Sequence, residues 1–314
     1  MIRLKVPIIP NESILNNLLE KNICTVNDFL QKKTSDLQNI CNLQCKQITK
    51  LKDDIIVECS SPFINGYTIY IDRSSSNIIQ TGILKLDNLL GGGLFTRQIY
   101  EFCGPSACGK TQLTYSILLN IIISTKEDII YIDTKNKFSV TRIKQILKKK
   151  YEFTNQEINS ILRKVHVYSV FDLYSLITCL YSLKEKSKPV IFIDSLPALY
   201  LSFVCVNNND GLCYMNHICS VLKYLSKQNA TIIVTNLAIK HSNFTKKRNA
   251  NSINQEQFDF KPTIGKYWIH IPNTRLMLTT EINREQKMCI TIGKSVHIPI
   301  NEKCILNIDD CGVL

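Results

Sequence analysis

The 314-residue chain has no apolar run approaching the roughly 18 uninterrupted residues needed to cross a bilayer, and even the stretch from Ile117 to Ile123 is broken by Asn120. Its start carries no secretory pattern, because Pro7 and Pro10 interrupt it before a long apolar region can form. Closely spaced metal-ligand pairs are missing as well. Among 13 cysteines the nearest approximations, Cys41 with Cys45 and Cys213 with Cys219, lack matching His or Cys pairs nearby, so structural zinc is not expected. Scattered through apolar segments, the cysteines read as reduced or buried thiols rather than a disulfide framework. No internal repeat is visible. These absences point to a soluble intracellular protein with no membrane contact. Acidic residues are also scarce, 26 against 38 Lys and Arg, which leaves a net charge of +12. That balance favours a polyanionic partner such as nucleic acid, or equally a lysine-rich solvated surface, and charge alone does not choose between them.

What is present is enough apolar residue, 45%, to fill a substantial core. Residues 1–58 read as a small helical domain: Ile14, Leu15, Leu18 and Leu19 recur at helical spacing, and Thr25 and Thr34 are placed to cap later helices. Residues 59–80 change to turn and linker chemistry, with Ser60-Ser61-Pro62, Asn65-Gly66 and Ser74-Ser75-Ser76-Asn77. From 81 to 314, β-like runs such as Gln98 to Phe102, Asp128 to Asp133, Val165 to Ser169, Val190 to Asp194 and Thr231 to Thr235 alternate with helical ones. Strands alternating with helices of about 10 to 15 residues imply βαβ units and a mostly parallel sheet covered on both faces. Arg275 to Thr280, Met288 to Ile292 and Cys304 to Ile308 follow one another without helices, which predicts antiparallel additions at one sheet edge.

The chemistry concentrates at Gly104-Pro105-Ser106-Ala107-Cys108-Gly109-Lys110-Thr111. This Gly-x-x-x-x-Gly-Lys-Thr run follows a predicted strand and opens a predicted helix, the context in which backbone N–H groups wrap phosphates at a helix N-terminus. Gly104 and Gly109 are expected where a side chain would block that approach, Lys110 on the β- and γ-phosphates, and Thr111 on Mg²⁺. A second Mg²⁺-side residue should close a hydrophobic strand beside the first, and Val190-Ile191-Phe192-Ile193-Asp194 supplies Asp194. Taken alone, Asp194 reads equally as a carboxylate capping a strand end. The loop and Asp194 together predict ATP and Mg²⁺ as cofactors. Cys103 and Cys108, which flank the loop, read as small buried spacers.

Thr81-Gly82-Ile83-Leu84-Lys85-Leu86-Asp87 with Gly91-Gly92-Gly93-Leu94, the phosphate loop, Tyr131-Ile132-Asp133-Thr134 and Ile233-Val234-Thr235-Asn236 resemble the RecA-type recombinases of eukaryotes. The resemblance covers nearly the whole chain. Ile64-Asn65-Gly66, the run from Lys261 to Trp268, and Lys294-Ser295 are most similar to the D-type recombinase paralogue of that family. It implies an α/β fold: a RecA-like P-loop ATPase core, its mostly parallel central sheet flanked by helices, with a small N-terminal helical domain. It also implies assembly with sister paralogues and support of DNA repair by homologous recombination in the nucleus.

Two departures qualify what the resemblance implies. Active members carry a Glu after Tyr-Ile-Asp-Thr, placed to activate water, whereas this chain has Lys135. A charged lysine accepts no proton, so weak hydrolysis is expected unless another carboxylate, such as Glu101, or a partner completes the site. Strand-exchange members place a Gln after Thr-Asn that senses the γ-phosphate, whereas Leu237 stands here and makes no such hydrogen bond. Arg142 matches the family's adenine-stacking arginine, and is equally one more charge on a basic helix.

The family's first DNA loop would fall at Leu201 to Gly211, which holds no basic residue. The second would fall between Lys240 and Lys261, where Lys240, His241, Lys246, Lys247 and Arg248 offer phosphate contacts and Phe244 a stacking ring for single-stranded or branched DNA. A plain surface loop, or a nuclear import signal at 246–248, are the alternatives. Phe63 sits about where the family offers an aromatic to the next subunit, although linker aromatics more often pack on their own domain. The leading expectation is an ATP-binding paralogue with weak hydrolysis. Its rivals are a DNA-dependent ATPase with strand-exchange activity, and a nucleotide-binding signalling ATPase unrelated to DNA.

Overall fold

A computed structural model describes residues 4, 9, 11–60, 63–74, 78–125, 127–184, 190–204, 210–240, 260–265, 267–282 and 286–314. The chain divides into two compact units, Met1–Ser74 and Ser75–Leu314. In the first, α1 (Glu12–Glu20), α2 (Val26–Gln31), α3 (Thr34–Cys41), α4 (Cys45–Cys59) and α5 (Gly66–Ser74) follow in order. Leu18, Phe29, Leu37, Ile48 and Ile55 are buried in one core, as the helical spacing of apolar residues predicts. Thr25 caps α2 in a reciprocal box with Asp28, whose carboxyl is lowered by the Thr25 hydrogen bonds. Thr34 does not cap α3. It is the first helical residue, and Lys33 holds the cap position without a side-chain bond. Residues 66–74, read as linker from their flanking turn residues, form α5, which starts where the Asn65 side chain accepts from Thr68 N at 2.8 Å.

The second unit opens with an antiparallel pair, β1 (Ile78–Ile79) and β2 (Leu94–Phe95), on either side of α6 (Leu84–Leu89). Asp87 on α6 accepts from Thr81 N and Gly82 N at 2.8 and 3.1 Å, so the Thr-Gly…Asp pattern builds a tight entry to the core. The main sheet comprises β3 (Ile99–Gly104), β4 (Ile129–Asp133), β5 (Val165–Ser169), β6 (Val190–Asp194), β7 (Thr231–Lys240), β8 (Phe260–Pro262), β9 (Thr274–Ile282), β10 (Gln286–Lys294), β11 (Lys303–Asp309) and β12 (Gly312–Val313). Their order is β12-β11-β10-β9-β3-β7-β6-β4-β5, with β8 paired to β7. Strands β9, β3, β7, β6, β4 and β5 run parallel, and β10 to β12 add antiparallel at one side. The antiparallel arm therefore begins one strand later than its lack of helices predicts, because β9 joins β3 in parallel. Asp194 also does not lie on the strand beside the phosphate-loop strand, since β7 runs between β3 and β6.

Alternation along the strands sorts side chains into two cores. On one face Tyr100, Phe102, Tyr131, Phe192 and Ile233 pack with α7 (Lys110–Thr125), α8 (Val140–Tyr151) and α9 (Asn155–Leu162). On the other, Ile99, Ile130, Ile132, Ile191, Ile193, Ile232 and Val234 pack with α10 (Leu173–Ser182), α11 (Leu196–Val204) and α12 (Asp210–Lys227). Asn120, the polar break in α7, is buried: its amide donates to Thr81 O at 2.7 Å and its oxygen accepts from Tyr151 Oη, so the polar atom costs little there. Leu201 to Val204, placed by sequence in a loop, belong to α11. Among the described residues no helix is long and apolar enough to cross a membrane, no three or more His, Cys, Asp or Glu are grouped to hold a metal, and no disulfide forms.

Candidate nucleotide site

The glycine loop links the end of β3 to the start of α7, so the free N–H groups of the first helical turn lie beyond the C-terminal end of an interior strand. The two glycines are demanded from behind the loop. A Cβ on Gly104 would lie 2.4 Å from Leu278 O and 2.6 Å from Cys108 Sγ. Gly109 has φ +87°, and a Cβ there would meet Met288 and Ile308 at 2.5 and 2.6 Å. Beside ligand approach, the glycines thus answer a second demand: the β9–β11 arm packs against the loop's rear. Ala107 takes a left-handed φ of +62°, which turns successive peptides into a concave nest.

Lys110, Thr111, Lys135, Asp194 and Leu237 all line one cleft of about 540 Å³, together with Gly109. Lys110 Nζ donates to Gly104 O and Pro105 O at 2.8 and 2.6 Å, which folds the ammonium along its own loop. Thr111 Oγ1 donates to Asp194 Oδ2 at 2.7 Å. Two further hydroxyls, which sequence reading did not single out, hold the same carboxylate: Tyr131 Oη donates to Oδ2 at 2.9 Å and Thr235 Oγ1 to Oδ1 at 2.7 Å. Strand alternation carried the signal. Tyr131 and Thr235 stand on the same sheet face as Phe192, hence as Asp194 two residues on. Burial raises the Tyr131 phenol well above its ordinary value, and the Asp194 charge adds to the rise, so the group stays a proton donor. Lys135 enters the cleft from a turn held by Asp133, whose oxygens accept from Lys135 N and Phe138 N at 2.9 and 2.7 Å.

Glu101, considered as a substitute for the missing carboxylate, is on the opposite face and outside the cleft lining. It is fully buried and accepts from Asn236 Nδ2 at 2.6 Å, Trp268 Nε1 at 2.8 Å and Arg275 Nε at 2.5 Å. Held by those three donors and with the sheet in between, it has no route to water at the phosphate loop. Arg142 also stays off the cleft lining. Its guanidinium donates to Gln112 Oε1 at 2.8 Å, Asp310 O at 3.1 Å and Asp309 O at 2.6 Å, and Gln112 itself lines the cleft. Lys240 ends β7, while His241, Phe244, Lys246, Lys247 and Arg248 lie outside the described residues. Pro105, Ser106 and Cys108 belong to the loop as read, with Cys108 buried.

The donor set fits a magnesium nucleotide: a hydroxyl and a carboxylate in hydrogen-bond contact, a lysine on the same loop, and a backbone nest at a helix N-terminus. Such a loop between a central parallel strand and a helix, facing an Asp at the end of a strand two places along, defines a RecA-like core. The chain belongs to the Rad51 family, whose model, described as Rad51, matches residues 72–314. It is 24% identical to mouse DNA repair protein RAD51 homolog 4, over 96% of this chain and 92% of that one. It is 26% identical to the probable DNA repair protein RAD51 homolog 4 of Dictyostelium discoideum, over 87% and 86%. Human DNA repair protein RAD51 homolog 2 is 24% identical over 92% and 83%. The crystal structure of the RadB recombinase superposes with TM-score 0.60 at 20% identity, covering 75% of this chain and 98% of that one, a likeness of fold.

Proposed function

We propose that this chain is a recombinase paralogue that holds ATP and Mg²⁺ at residues 104–111 with weak hydrolysis, joins sister paralogues, and supports homologous recombination repair in the nucleus. The observation that carries the reading is Lys135. It lines the nucleotide cleft where the family's active members carry a Glu, and its ammonium takes no proton from an attacking water. Lys110 and the nest would bind the phosphates, while Thr111 and Asp194 would hold the metal, which when bound neutralises charge on the phosphate oxygens. Lys135 adds a positive charge that favours retention of a triphosphate. The rival reading of an active ATPase loses its substitute base, because Glu101 is engaged on the other sheet face.

Contact with single-stranded or branched DNA is proposed for residues 240–261, the connection between β7 and its antiparallel neighbour β8. The net charge of +12 supports a polyanionic partner. The relatives' names support the recombination-repair role. Lys135→Glu tests the nucleotide reading. Under single-turnover conditions with single-stranded DNA present, the variant is expected to hydrolyse bound ATP about 100-fold faster than the natural chain, the lower end of the usual contribution of a general base. Fast DNA-stimulated turnover by the natural chain alone would overturn the proposal.

A further inference from the structure

Asp194 is a mostly buried carboxylate that, among the described residues, has no ammonium or guanidinium at ion-pair distance, and three hydroxyls supply its hydrogen bonds. A carboxylate normally turns broadly about its last torsion. Here Thr235 pins Oδ1 from β7 while Tyr131 pins Oδ2 from β4, so donors from the two strands flanking β6 set the plane of the group. The donors are themselves immobile. Thr235 is fully buried, and the Tyr131 ring packs against Tyr115, Phe138 and Phe192 with centroids 5.9, 4.9 and 6.3 Å away. Thr111 then donates its hydroxyl hydrogen bond to the fixed Oδ2, which leaves its oxygen lone pairs available to the cleft.

We propose that Tyr131 and Thr235 are positioning residues that fix Asp194, and through it the Thr111 hydroxyl, for Mg²⁺. The proposal rests on the magnesium-nucleotide reading of the cleft. The physical reason is that Mg²⁺ demands near-ideal octahedral geometry, so ligands already fixed bind it without reorganisation. Tyr131 matters to the cleft only through its hydroxyl, because its ring is committed to the core. Thr235 provides the sharper case, since Val and Ser mimic its shape and its hydroxyl separately.

The test is a Mg²⁺ titration of fluorescent ATP-analogue binding to the full chain, with a parallel titration in EDTA. Tyr131→Phe and Thr235→Val are expected to raise the Mg²⁺ midpoint about 10-fold, the usual cost of losing a hydrogen bond behind a metal ligand, while Thr235→Ser restores it. Affinity in EDTA is expected to stay within about 2-fold, because backbone and Lys110 contacts are untouched. Natural-chain midpoints in both hydroxyl-deleted variants would overturn the inference. So would equal losses with and without Mg²⁺, which mark a purely structural role. If Tyr131→Phe fails to fold, the Thr235→Val and Thr235→Ser pair decides alone. A natural chain that binds no analogue under either condition would instead refute the nucleotide reading.

Discussion

Two buried carboxylates stand on opposite faces of the same sheet, and their surroundings give them opposite roles. Glu101 faces the α10–α12 side, where Arg275, Trp268 and Asn236 supply a charge partner and two neutral donors in a dry core. Asp194 faces the α7 side, where three hydroxyls hold it at the edge of an open cleft. A guanidinium closes a carboxylate, because each charge compensates the other and removing either one leaves its partner as an uncompensated buried charge. Hydroxyls orient a carboxylate while leaving its charge uncompensated, which suits a group that meets a cation from solvent. Burial is therefore a poor guide to function in this sheet, and the chemistry of the donors a better one.

The strongest way to break this contrast is Glu101→Gln. The neutral side chain leaves Arg275 as an uncompensated buried charge, for which a loss of about 3–5 kcal/mol in stability is expected by urea denaturation, with ATP-analogue affinity in the surviving folded protein within about 2-fold of normal. A sharp fall in that affinity at full occupancy of the folded state would show that the two faces are not separate. Lys110→Ala is the converse. Losing two or three charge-assisted bonds to phosphate is expected to weaken the analogue about 100-fold, with stability changed by less than about 1 kcal/mol.

Alkaline pH produces the smallest effect and reaches both faces. Burial pushes the Cys219 thiol, on α12, and the Cys304 thiol, packed against the opposite core, up to about 11 from an ordinary 9.0. The Tyr115 and Tyr131 phenols shift the same way, again chiefly through burial. These native groups keep their protons when the unfolded chain has lost them. Their contribution is thus whole below pH 9 and is lost as pH rises through the native values. Melting followed from pH 8 to 11 should fall by about 3 °C or more, and a flat or rising profile would contradict the assignment.

Most of the architecture was readable because it is periodic. Val140 to Tyr151 and Val165 to Ser169 form elements at the bounds that periodicity predicts, and the parallel core follows from alternation of strands and helices. α5 was hidden because Gly66 and the turn residues around it outweigh a short helix in any composition argument. The place of β7 between β3 and β6 was hidden for a different reason: strand order depends on crossovers, which leave no mark on the local pattern. In the site, the loop, Asp194, Lys135 and Leu237 were legible as residue types at fixed places. Tyr131 and Thr235 were not, since a Tyr and a Thr in strands read as ordinary β-formers until the face they share with Asp194 is known.

The sequence by itself determined that a phosphate-type loop is present, that a lysine, Lys135, follows Tyr131-Ile132-Asp133-Thr134, and that the charge is basic, because these depend on which side chains exist. Only the tertiary structure decided that Glu101 cannot stand beside Asp194 at the cleft. Glu101 lies three residues before the loop and Asp194 more than eighty after it, so proximity in the chain favours the wrong one. The pleat directs Glu101 to Arg275 on the far face, and the parallel register carries Asp194 to Thr111.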